Sequence, residues 1–330
     1  MKQVFLLILI FFVAIASAQQ LKPYIDSTTN KWGFKNAAGQ IIITPQYEFY
    51  DLHTGLNDVL IAVFDNDKWG FIDNLGKVIT PVKYEYFKEF TSGLAAVMDN
   101  KKWGAIDTSG KEVIPLKYER VYTYPDGTII VEFNGKWGFI DKTDKEITPI
   151  KYDDVQNFYD GLALVTIKGE YGFIDKSGKE IIPIKYDNAL DFSEGLAAVN
   201  RGYTDYAHKG KWGFIDKKER LVIPFRYTDA HKFSEGIVGV EFNNKWGYIN
   251  KTGKVIIPIK LSYENVEEFH DGLAAVKKDN KWGFIDKKGK LVIPLEYDEI
   301  SSYFKKGKAT VIMGLSGKKF EINKKGERIN

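Results

Sequence analysis

The 330-residue chain has no cysteine, only four histidines and only three methionines. The absence of cysteine excludes disulfide bridges and thiolate chemistry, so the fold must be stabilised by packing. A chain of this length can bury a large core. Long apolar runs are also missing after residue 18, and no later segment approaches the roughly 20 apolar residues of a transmembrane helix. We therefore expect no transmembrane segment in the mature chain.

An excess of charge of one sign is missing as well. The 47 lysines and arginines nearly balance the 44 acidic residues, which leaves a net charge of +3. Both signs are interleaved along the whole chain. This pattern is typical of a solvated surface and not of a nucleic-acid-binding patch, so we expect no nucleic-acid partner.

Residues 1–18 are typical of a cleaved secretory signal peptide. Lys2 supplies the positive start, Val4 to Ala14 the short apolar stretch, and Ala16-Ser17-Ala18 the cleavage pattern. The stretch is too short for a comfortable membrane anchor, and no cysteine follows it that could carry a lipid. The mature chain, 19–330, is therefore predicted to be periplasmic, displayed at the cell surface or secreted.

An aromatic residue followed by glycine recurs eight times, and this position takes all seven tryptophans of the protein. A fixed period of this kind is typical of a repeat protein. The pairs are Trp32-Gly33, Trp69-Gly70, Trp103-Gly104, Trp137-Gly138, Tyr171-Gly172, Trp212-Gly213, Trp246-Gly247 and Trp282-Gly283.

The spacing inside each unit is nearly constant. From the aromatic residue to a proline the distance is 12 residues in seven units, as from Trp137 to Pro149, and 13 from Trp32 to Pro45. Four units place an Asp-x-x-Gly signal between the two and the other four a close variant of it, which predicts a tight turn because aspartate bonds its own backbone and glycine accepts positive φ. A tyrosine and a run such as Leu273 to Val276 follow the proline.

Short aromatic and β-branched runs closed by turn residues predict three strands in each unit. Examples of the first, second and third strands are Trp137 to Asp141, Leu291 to Ile293 and Leu273 to Val276. Asn134-Gly135 predicts a two-residue hairpin between the third strand of one unit and the first strand of the next. Each unit is thus a three-stranded antiparallel meander. A fourth segment, such as Tyr152 to Phe158, fits either a short strand or one helical turn.

The second and third strands are apolar on both faces, so successive sheets are expected to stack on one another. In the first strand Trp137 shares a face with Phe139, which favours packing over sugar binding as the role of the tryptophans. Gly138 leaves a recess on the other face. We expect the tryptophan of a neighbouring unit to fill it.

Two all-β architectures fit this pattern. An open superhelical solenoid is preferred because the usual period of 34 to 37 residues is short for a propeller blade. A closed β-propeller-like ring is the alternative. Gly307 to Asn330 forms a degenerate C-terminal unit, typical of a cap, whereas Leu21 to Ile25 could supply the strand that closes a ring. Residues 19–330 are predicted to form one domain of eight units plus this degenerate unit.

These motifs are those of a known family. Lys-Trp-Gly-Phe-Ile-Asp is followed by a Gly-Lys turn, Ile-Pro-x-x-Tyr and Gly-Leu-Ala-Ala-Val, and the chain resembles the WG-repeat (KWG-repeat) proteins of bacteria from Leu21 to Asn330. The resemblance implies an all-β repeat protein, often exported, with no activity established for the repeat and no catalytic residues. The first motif begins at Lys68, Lys136, Lys211 and Lys281. The departures are Tyr171 for tryptophan, Ala105 for phenylalanine, Lys35 for isoleucine, and Asp144 and Glu219 for the turn glycine.

Catalytic, cofactor and metal sites have no signature in this sequence. The histidines share no metal-ligand spacing, and the repeated aspartates each open a turn, which explains them without catalysis. A glycosidase needs a pair of carboxylates in one place, not one in each repeat. We therefore predict a protein that is not an enzyme and uses no cofactor. The histidines are His53, His208, His231 and His270, and the aspartates are Asp73, Asp107, Asp141, Asp175, Asp216 and Asp286.

One insertion breaks the repeat. Residues 200–210 add seven residues to an otherwise constant hairpin. Insertions in repeat proteins often lie on the binding face, and Tyr203, Asp205, Tyr206 and His208 mix aromatic and polar groups as contact loops do. They are the predicted partner-contact residues. A tolerated surface insertion is the alternative.

Together these features predict a monomeric, exported, non-catalytic binding or scaffold module for a protein or a glycan at the cell envelope. Two alternatives stay open. One is a carbohydrate-active hydrolase whose site is assembled from distant repeats, and the other is a purely structural envelope component.

Overall fold

Every regular element in the computed structural model is a β-strand within the described residues. The sheets have three or four antiparallel strands, and strands that are consecutive in the chain are neighbours. The predicted all-β tandem array of meanders is confirmed. The described residues contain no helix that is long and apolar enough to cross a membrane. They are 21–52, 54–55, 60–203, 209–314 and 317–329.

Internal contacts divide the chain into two compact units, with the boundary between Lys151 and Tyr152. The first unit has four sheets, β1–β3, β4–β7, β8–β11 and β12–β14. Its strands are β1 Lys22–Asp26, β2 Lys31–Lys35, β3 Ile41–Tyr47, β4 Phe49–Asp51, β5 Leu60–Asp65, β6 Lys68–Asp73, β7 Val78–Tyr84, β8 Tyr86–Phe87, β9 Leu94–Asp99, β10 Lys102–Asp107, β11 Glu112–Tyr118, β12 Arg120–Thr123, β13 Ile129–Phe133 and β14 Lys136–Ile140.

The second unit has five sheets, β15–β18, β19–β22, β23–β26, β27–β30 and β31–β33. Its strands are β15 Asp154–Tyr159, β16 Leu162–Ile167, β17 Glu170–Asp175, β18 Glu180–Tyr186, β19 Asn188–Ala189, β20 Leu196–Tyr203, β21 Lys209–Asp216, β22 Leu221–Tyr227, β23 Asp229–Ala230, β24 Ile237–Phe242, β25 Lys245–Asn250, β26 Val255–Leu261, β27 Asn265–His270, β28 Leu273–Lys278, β29 Lys281–Asp286, β30 Leu291–Tyr297, β31 Glu299–Lys305, β32 Lys308–Met313 and β33 Lys318–Asn323.

The fourth segment of the repeat is a strand and not a helical turn. The segment Tyr152 to Phe158 contributes most of β15, Asp154–Tyr159, and the corresponding segment of other repeats forms the outer strand of the other four-stranded sheets. The terminal segments are placed as well. Leu21 to Ile25 contributes β1, which pairs with β2 in the first sheet, and Gly307 to Asn330 contributes β32 and β33 to the last one.

The hairpin between the Gly-Leu-Ala-Ala-Val strand and the Trp-Gly strand has the predicted two-residue turn. Asn134 and Gly135 have φ angles of 52° and 69°. Two consecutive residues with positive φ match the right-handed twist of the strands they join, which is why asparagine and glycine are favoured there. Asn243 and Asn244, in the equivalent turn of another repeat, also have positive φ angles, of 50° and 57°.

The glycine of the Trp-Gly pair faces the backbone of its own repeat, about twelve residues later in the chain. A Cβ atom on Gly138 would lie 2.9 Å from the Cα of Ile150, so the expectation that a neighbouring tryptophan fills this recess is wrong. In the third sheet, Trp103 pairs with Tyr118 and Ala105 pairs with Ile114. Gly104 alone therefore lies opposite the three residues between those partners, a β-bulge that contains the proline of the repeat.

The core lies between consecutive sheets of a unit. In the first unit, Phe71 of β6 packs edge to face on Phe87 and Phe90 of the following sheet, with ring centroids 5.1 and 5.6 Å apart. Such geometry suits the charge distribution of aromatic rings. The same kind of pair recurs in the second unit at Phe173–Phe192, Phe214–Phe233, Tyr248–Phe269 and Phe284–Phe304. Sheet-on-sheet stacking is thus present inside each unit.

The tryptophans pack at the margin of this core. Trp212 and Trp246 are buried, and the other tryptophans and Tyr171 are half-buried. Trp32 contacts Tyr50 of the next sheet, with ring centroids 4.8 Å apart. These residues thus make packing contacts between consecutive sheets, and most of them are only partly buried.

The repeated aspartates organise turns, as predicted. The backbone N–H groups of Thr143 and Lys145 donate to Oδ1 of Asp141 at 2.8 and 3.1 Å. The Thr143 hydroxyl and these N–H groups lower the pKa of Asp141, because they favour the carboxylate. Ser177 has the same effect on the pKa of Asp175. Asn250 makes equivalent bonds, which shows that the turn needs an oxygen acceptor and not a charge.

Replacing Asp141 and Asp175 together with asparagine should lower the stability of the protein at neutral pH and make that stability less sensitive to acid. Their folded-state pKa values lie below the ordinary 3.8, so their contribution is present above that pH and is lost as the pH falls through the folded values. Asparagine has no such loss. The difference between the thermal unfolding midpoints of wild type and variant should therefore stay constant from pH 7 to about pH 4 and shrink as the pH falls below the ordinary value of 3.8. A difference that stays constant below that value would contradict this.

Two departures from the repeat pattern link consecutive sheets. Asp144 takes the turn glycine's place with a φ of 67°, and its carboxylate accepts a 2.6 Å hydrogen bond from the hydroxyl of Tyr118 and an ion pair from Lys117. Glu219 does the same for Tyr186, at 3.1 Å. Burial and the Glu219 carboxylate raise the pKa of Tyr186 to about 12. At these two positions a hydrogen bond between a tyrosine and a carboxylate connects the turn to the preceding sheet, where other repeats have a glycine.

Candidate functional site: an aromatic cleft in the first unit

An open cleft in the first unit gathers side chains from three consecutive sheets. Its volume is 540 Å³, within the range of small-ligand sites. The short outer strands β8 and β12 form its floor, together with the segment that follows β8. The lining residues are Asp51, Trp69, Tyr86, Phe87, Lys88, Glu89, Thr91, Tyr122 and Thr123.

Aromatic rings form most of the apolar surface of this cleft. Trp69 of β6 packs edge to face on Phe87 of β8, with ring centroids 5.0 Å apart. Tyr86 of β8 and Tyr122 of β12 are 54% and 37% exposed, so large parts of both side chains face solvent. The arrangement follows from strand alternation, because Phe87 turns into the core while Tyr86 points away from it.

Lys88 places a cation among these rings. Its Nζ lies 3.7 Å from the centroid of the Tyr122 ring and 4.9 Å from that of Trp103, and it donates a 3.2 Å hydrogen bond to the carbonyl oxygen of Val121. Burial, with a further contribution from Arg120, lowers the pKa of Lys88. The two ring faces and the carbonyl oppose that effect, since they stabilise the ammonium form and hold it in one position.

Polar groups stand beside the rings. Asp51 and Glu89 bring carboxylates from different sheets, and Thr91 and Thr123 bring hydroxyls. A ligand in this cleft would meet flat apolar faces together with donors and acceptors, the combination typical of small-molecule sites. Among the described residues no three His, Asp or Glu side chains are grouped to hold a metal ion.

The predicted contact residues in the insertion are not tested by the structure. Asp205, Tyr206 and His208 lie outside the described residues, and so does the side chain of Tyr203. The backbone around them is placed. Strands β20 and β21 have eight residues each, against six in β28 and β29, and Tyr203 pairs with Lys209, so the insertion lengthens a hairpin.

The described histidines lie in aromatic stacks. His231 stacks on Trp246 with ring centroids 5.1 Å apart, and His270 stacks on Tyr303 at 5.0 Å. His53 and His208 lie outside the described residues. The two stacked histidines thus contribute to packing.

The cleft was not found from the sequence because its residues occupy the least regular part of the repeat. A signal was nevertheless present. Strands β4, β8 and β12 of the first unit carry Phe49, Tyr86 and Tyr122, whereas β19 and β23 of the second unit carry the polar residues Asn188 and Asp229. Exposed aromatic residues that break a repeat pattern are candidates for binding.

Fold and cleft together define an all-β repeat protein of stacked meanders with an open aromatic site. The chain belongs to the WG containing repeat family. The family model matches residues 32–52, 69–103, 103–137, 137–171, 171–203, 212–246, 246–282 and 282–314.

Known proteins resemble this chain in fold more than in sequence. No curated protein matches it. A eukaryotic initiation factor crystal structure superimposes with a TM-score of 0.52 and 10% identity, covering 94% of this chain and 95% of that one. The structure of Kluyveromyces lactis Hsv2p gives a TM-score of 0.37 and 11% identity, covering 72% of this chain and 92% of that one. At these identities only the fold is compared.

Proposed function

We propose that this chain is an exported, monomeric, non-catalytic binding module and that its ligand is a glycan held in the aromatic cleft. The observation that carries the proposal is the convergence of Trp69, Tyr86, Phe87 and Tyr122 on one open cleft beside charged and hydroxyl groups. A pyranose ring has an apolar face of C–H groups and a rim of hydroxyls. Aromatic rings suit the face, and the carboxylates and Lys88 suit the rim.

The size of the cleft favours a glycan over a protein partner. Stable protein–protein interfaces bury about 800 Å² on each partner, usually over a broad surface. A cleft of 540 Å³ is instead matched to a few sugar rings. A protein could still use the insertion at residues 200–210, and this would appear as binding independent of the cleft.

Export is proposed from the sequence of residues 1–18. N-terminal sequencing of the protein from periplasmic and culture fractions tests it. A mature chain that begins at Gln19 in either fraction is the expected result, and an uncleaved chain in the cytosol alone would contradict it.

A glycan screen with the purified chain, followed by calorimetric titration of the best ligand, tests the binding proposal. We expect saturable binding without release of new reducing ends. Saturable binding to no glycan would favour a structural envelope component.

One observation favours a hydrolase as the second candidate. Asp51 and Glu89 line the same cleft from different sheets, and a pair of carboxylates is the usual machinery of glycoside hydrolysis. New reducing ends that disappear in the Glu89→Gln variant would support this candidate over a binding module.

A further inference from the structure

The second unit exposes aliphatic side chains along the edges of consecutive sheets. In a four-stranded sheet of this unit the last strand is an edge strand, as β22, β26 and β30 are. Leu221, Val255 and Leu291 stand at the start of these strands and are 50%, 45% and 39% exposed. Soluble proteins usually protect sheet edges with charged residues, so a row of exposed aliphatic residues there calls for a function.

These strand ends form one continuous row. A Cβ atom on Gly253 would lie 3.7 Å from Ile223 of the preceding sheet, and one on Gly289 would lie 2.7 Å from Ile257. Gly326 lies over Ile293 in the same way. Each turn thus rests on the last strand of the sheet before it. We call residues 217–222, 251–256, 287–292 and 324–329 the basic-aliphatic rim.

The turns of the rim are rich in cations. Some lysines reach back into the unit, since Lys251 and Lys287 form 3.0 Å ion pairs with Glu194 and Glu235. The rim acids include Glu219, which accepts from Tyr186, and Glu327. Exposed cations outnumber these acids. They are Lys218, Lys254, Lys288, Lys290, Lys324, Lys325 and Arg328, besides Arg220, which pairs with Asp216 at 2.6 Å.

Other repeats of the same chain lack this combination. At the position of Val255, three central repeats carry an exposed glutamate: Glu112, Glu146 and Glu180. The first repeats carry exposed Ile41 and Val78, but the turn before Ile41 contains no lysine and the turn before Val78 contains one, Lys77, against two or three in each turn of the rim. Aliphatic strand ends and lysine-rich turns occur together only in the rim.

We propose that the basic-aliphatic rim docks the second unit on the surface of an anionic lipid bilayer. Aliphatic side chains at a flat edge can enter the boundary between headgroups and acyl chains, while lysines and arginines beside them pair with lipid phosphates. Nucleic acid would use the cations but would leave the aliphatic residues in water. The basic-aliphatic rim belongs to the second unit, whereas the aromatic cleft belongs to the first, so this proposal does not depend on glycan binding.

Vesicle flotation with the full chain tests the proposal. The chain should float with vesicles of phosphatidylglycerol mixed with phosphatidylcholine, and not with phosphatidylcholine alone. Raising the salt should weaken this binding, because the Debye length falls from about 10 Å at 0.1 M to about 3 Å at 1 M. Failure to bind the anionic vesicles, or equal binding to both kinds, would overturn the proposal.

The rim itself is tested by the triple variant Leu221→Glu, Val255→Glu and Leu291→Glu. It should retain the wild-type melting midpoint, because glutamate occupies the equivalent exposed position in three other repeats. Binding to anionic vesicles should fall by about tenfold or more, since aliphatic burial is lost and three carboxylates are added near lipid phosphates.

The matched control is Val78→Glu, which makes the same change in the first unit and should bind like wild type. Wild-type binding by the triple variant would overturn the proposal. So would binding lost equally in the control, or a concentration-dependent dimer in light scattering that the triple variant abolishes, because the rim would then join two copies of this chain. If the triple variant unfolds, the single Val255→Glu variant should still bind more weakly than Val78→Glu.

Discussion

Replacing Gly104 with valine should destabilise the protein by about 3 kcal/mol or more. A Cβ atom at this position would lie 2.3 Å from the carbonyl oxygen of Ile114 and 2.8 Å from the backbone of Pro115. Both obstacles are backbone atoms of the facing bulge, so no side-chain rotation relieves the overlap. Chemical denaturation with a two-state fit measures the loss of unfolding free energy.

The control for this experiment is Gly239→Ala. Gly239 also lies in a strand, but a Cβ atom there meets only side chains, the nearest being Val266 at 3.0 Å. Alanine already stands at the corresponding positions Ala96 and Ala275. This variant should stay within about 1 kcal/mol of wild type. If Gly104→Val were equally well tolerated, the bulge would not be the reason for the Trp-Gly pair.

The double variant Tyr86→Ala and Tyr122→Ala should bind the proposed glycan about a hundredfold more weakly than wild type, because each ring contributes about 1.4 kcal/mol of stacking. Tyr86 and Tyr122 are 54% and 37% exposed and lie outside the buried core, so the fold should be retained. Calorimetric titration measures the affinity, and thermal unfolding checks the fold.

The comparison for the cleft variant is Tyr159→Ala. Tyr159 is an exposed tyrosine at 47%, but it lies in β15 of the second unit and does not line the cleft. Its loss should leave glycan affinity unchanged. Equal weakening by both variants, or by neither, would show that the cleft is not the binding site.

The regular parts of the fold could be predicted because their causes are local. The two-residue turn at Asn134-Gly135 follows from positive φ at both residues, and the turn at Asp141 follows from an oxygen that accepts the N–H groups two and four residues later. Strand alternation placed Phe139 in the core. These constraints act within a few residues, and their recurrence in eight repeats supports the same prediction for each of them.

The errors and omissions concern contacts between segments that are distant in sequence. The obstacle at Gly138 is Ile150, twelve residues later, and only the return of the chain after the Asp141 turn brings the two together. The secondary structure of the fourth segment could not be predicted, because a strand of two residues such as β19 is too short to show a periodic pattern. Its pairing with the next strand defines it as a strand.

The sequence by itself determined the all-β repeat class, the turn chemistry and the family, since these depend on short-range preferences repeated along the chain. Only the tertiary structure brought Trp69, Tyr86 and Tyr122 into one cleft and aligned Leu221, Val255 and Leu291 in one rim. Sheet stacking sets which distant side chains become neighbours, and that packing has no counterpart in the local spacing of residues.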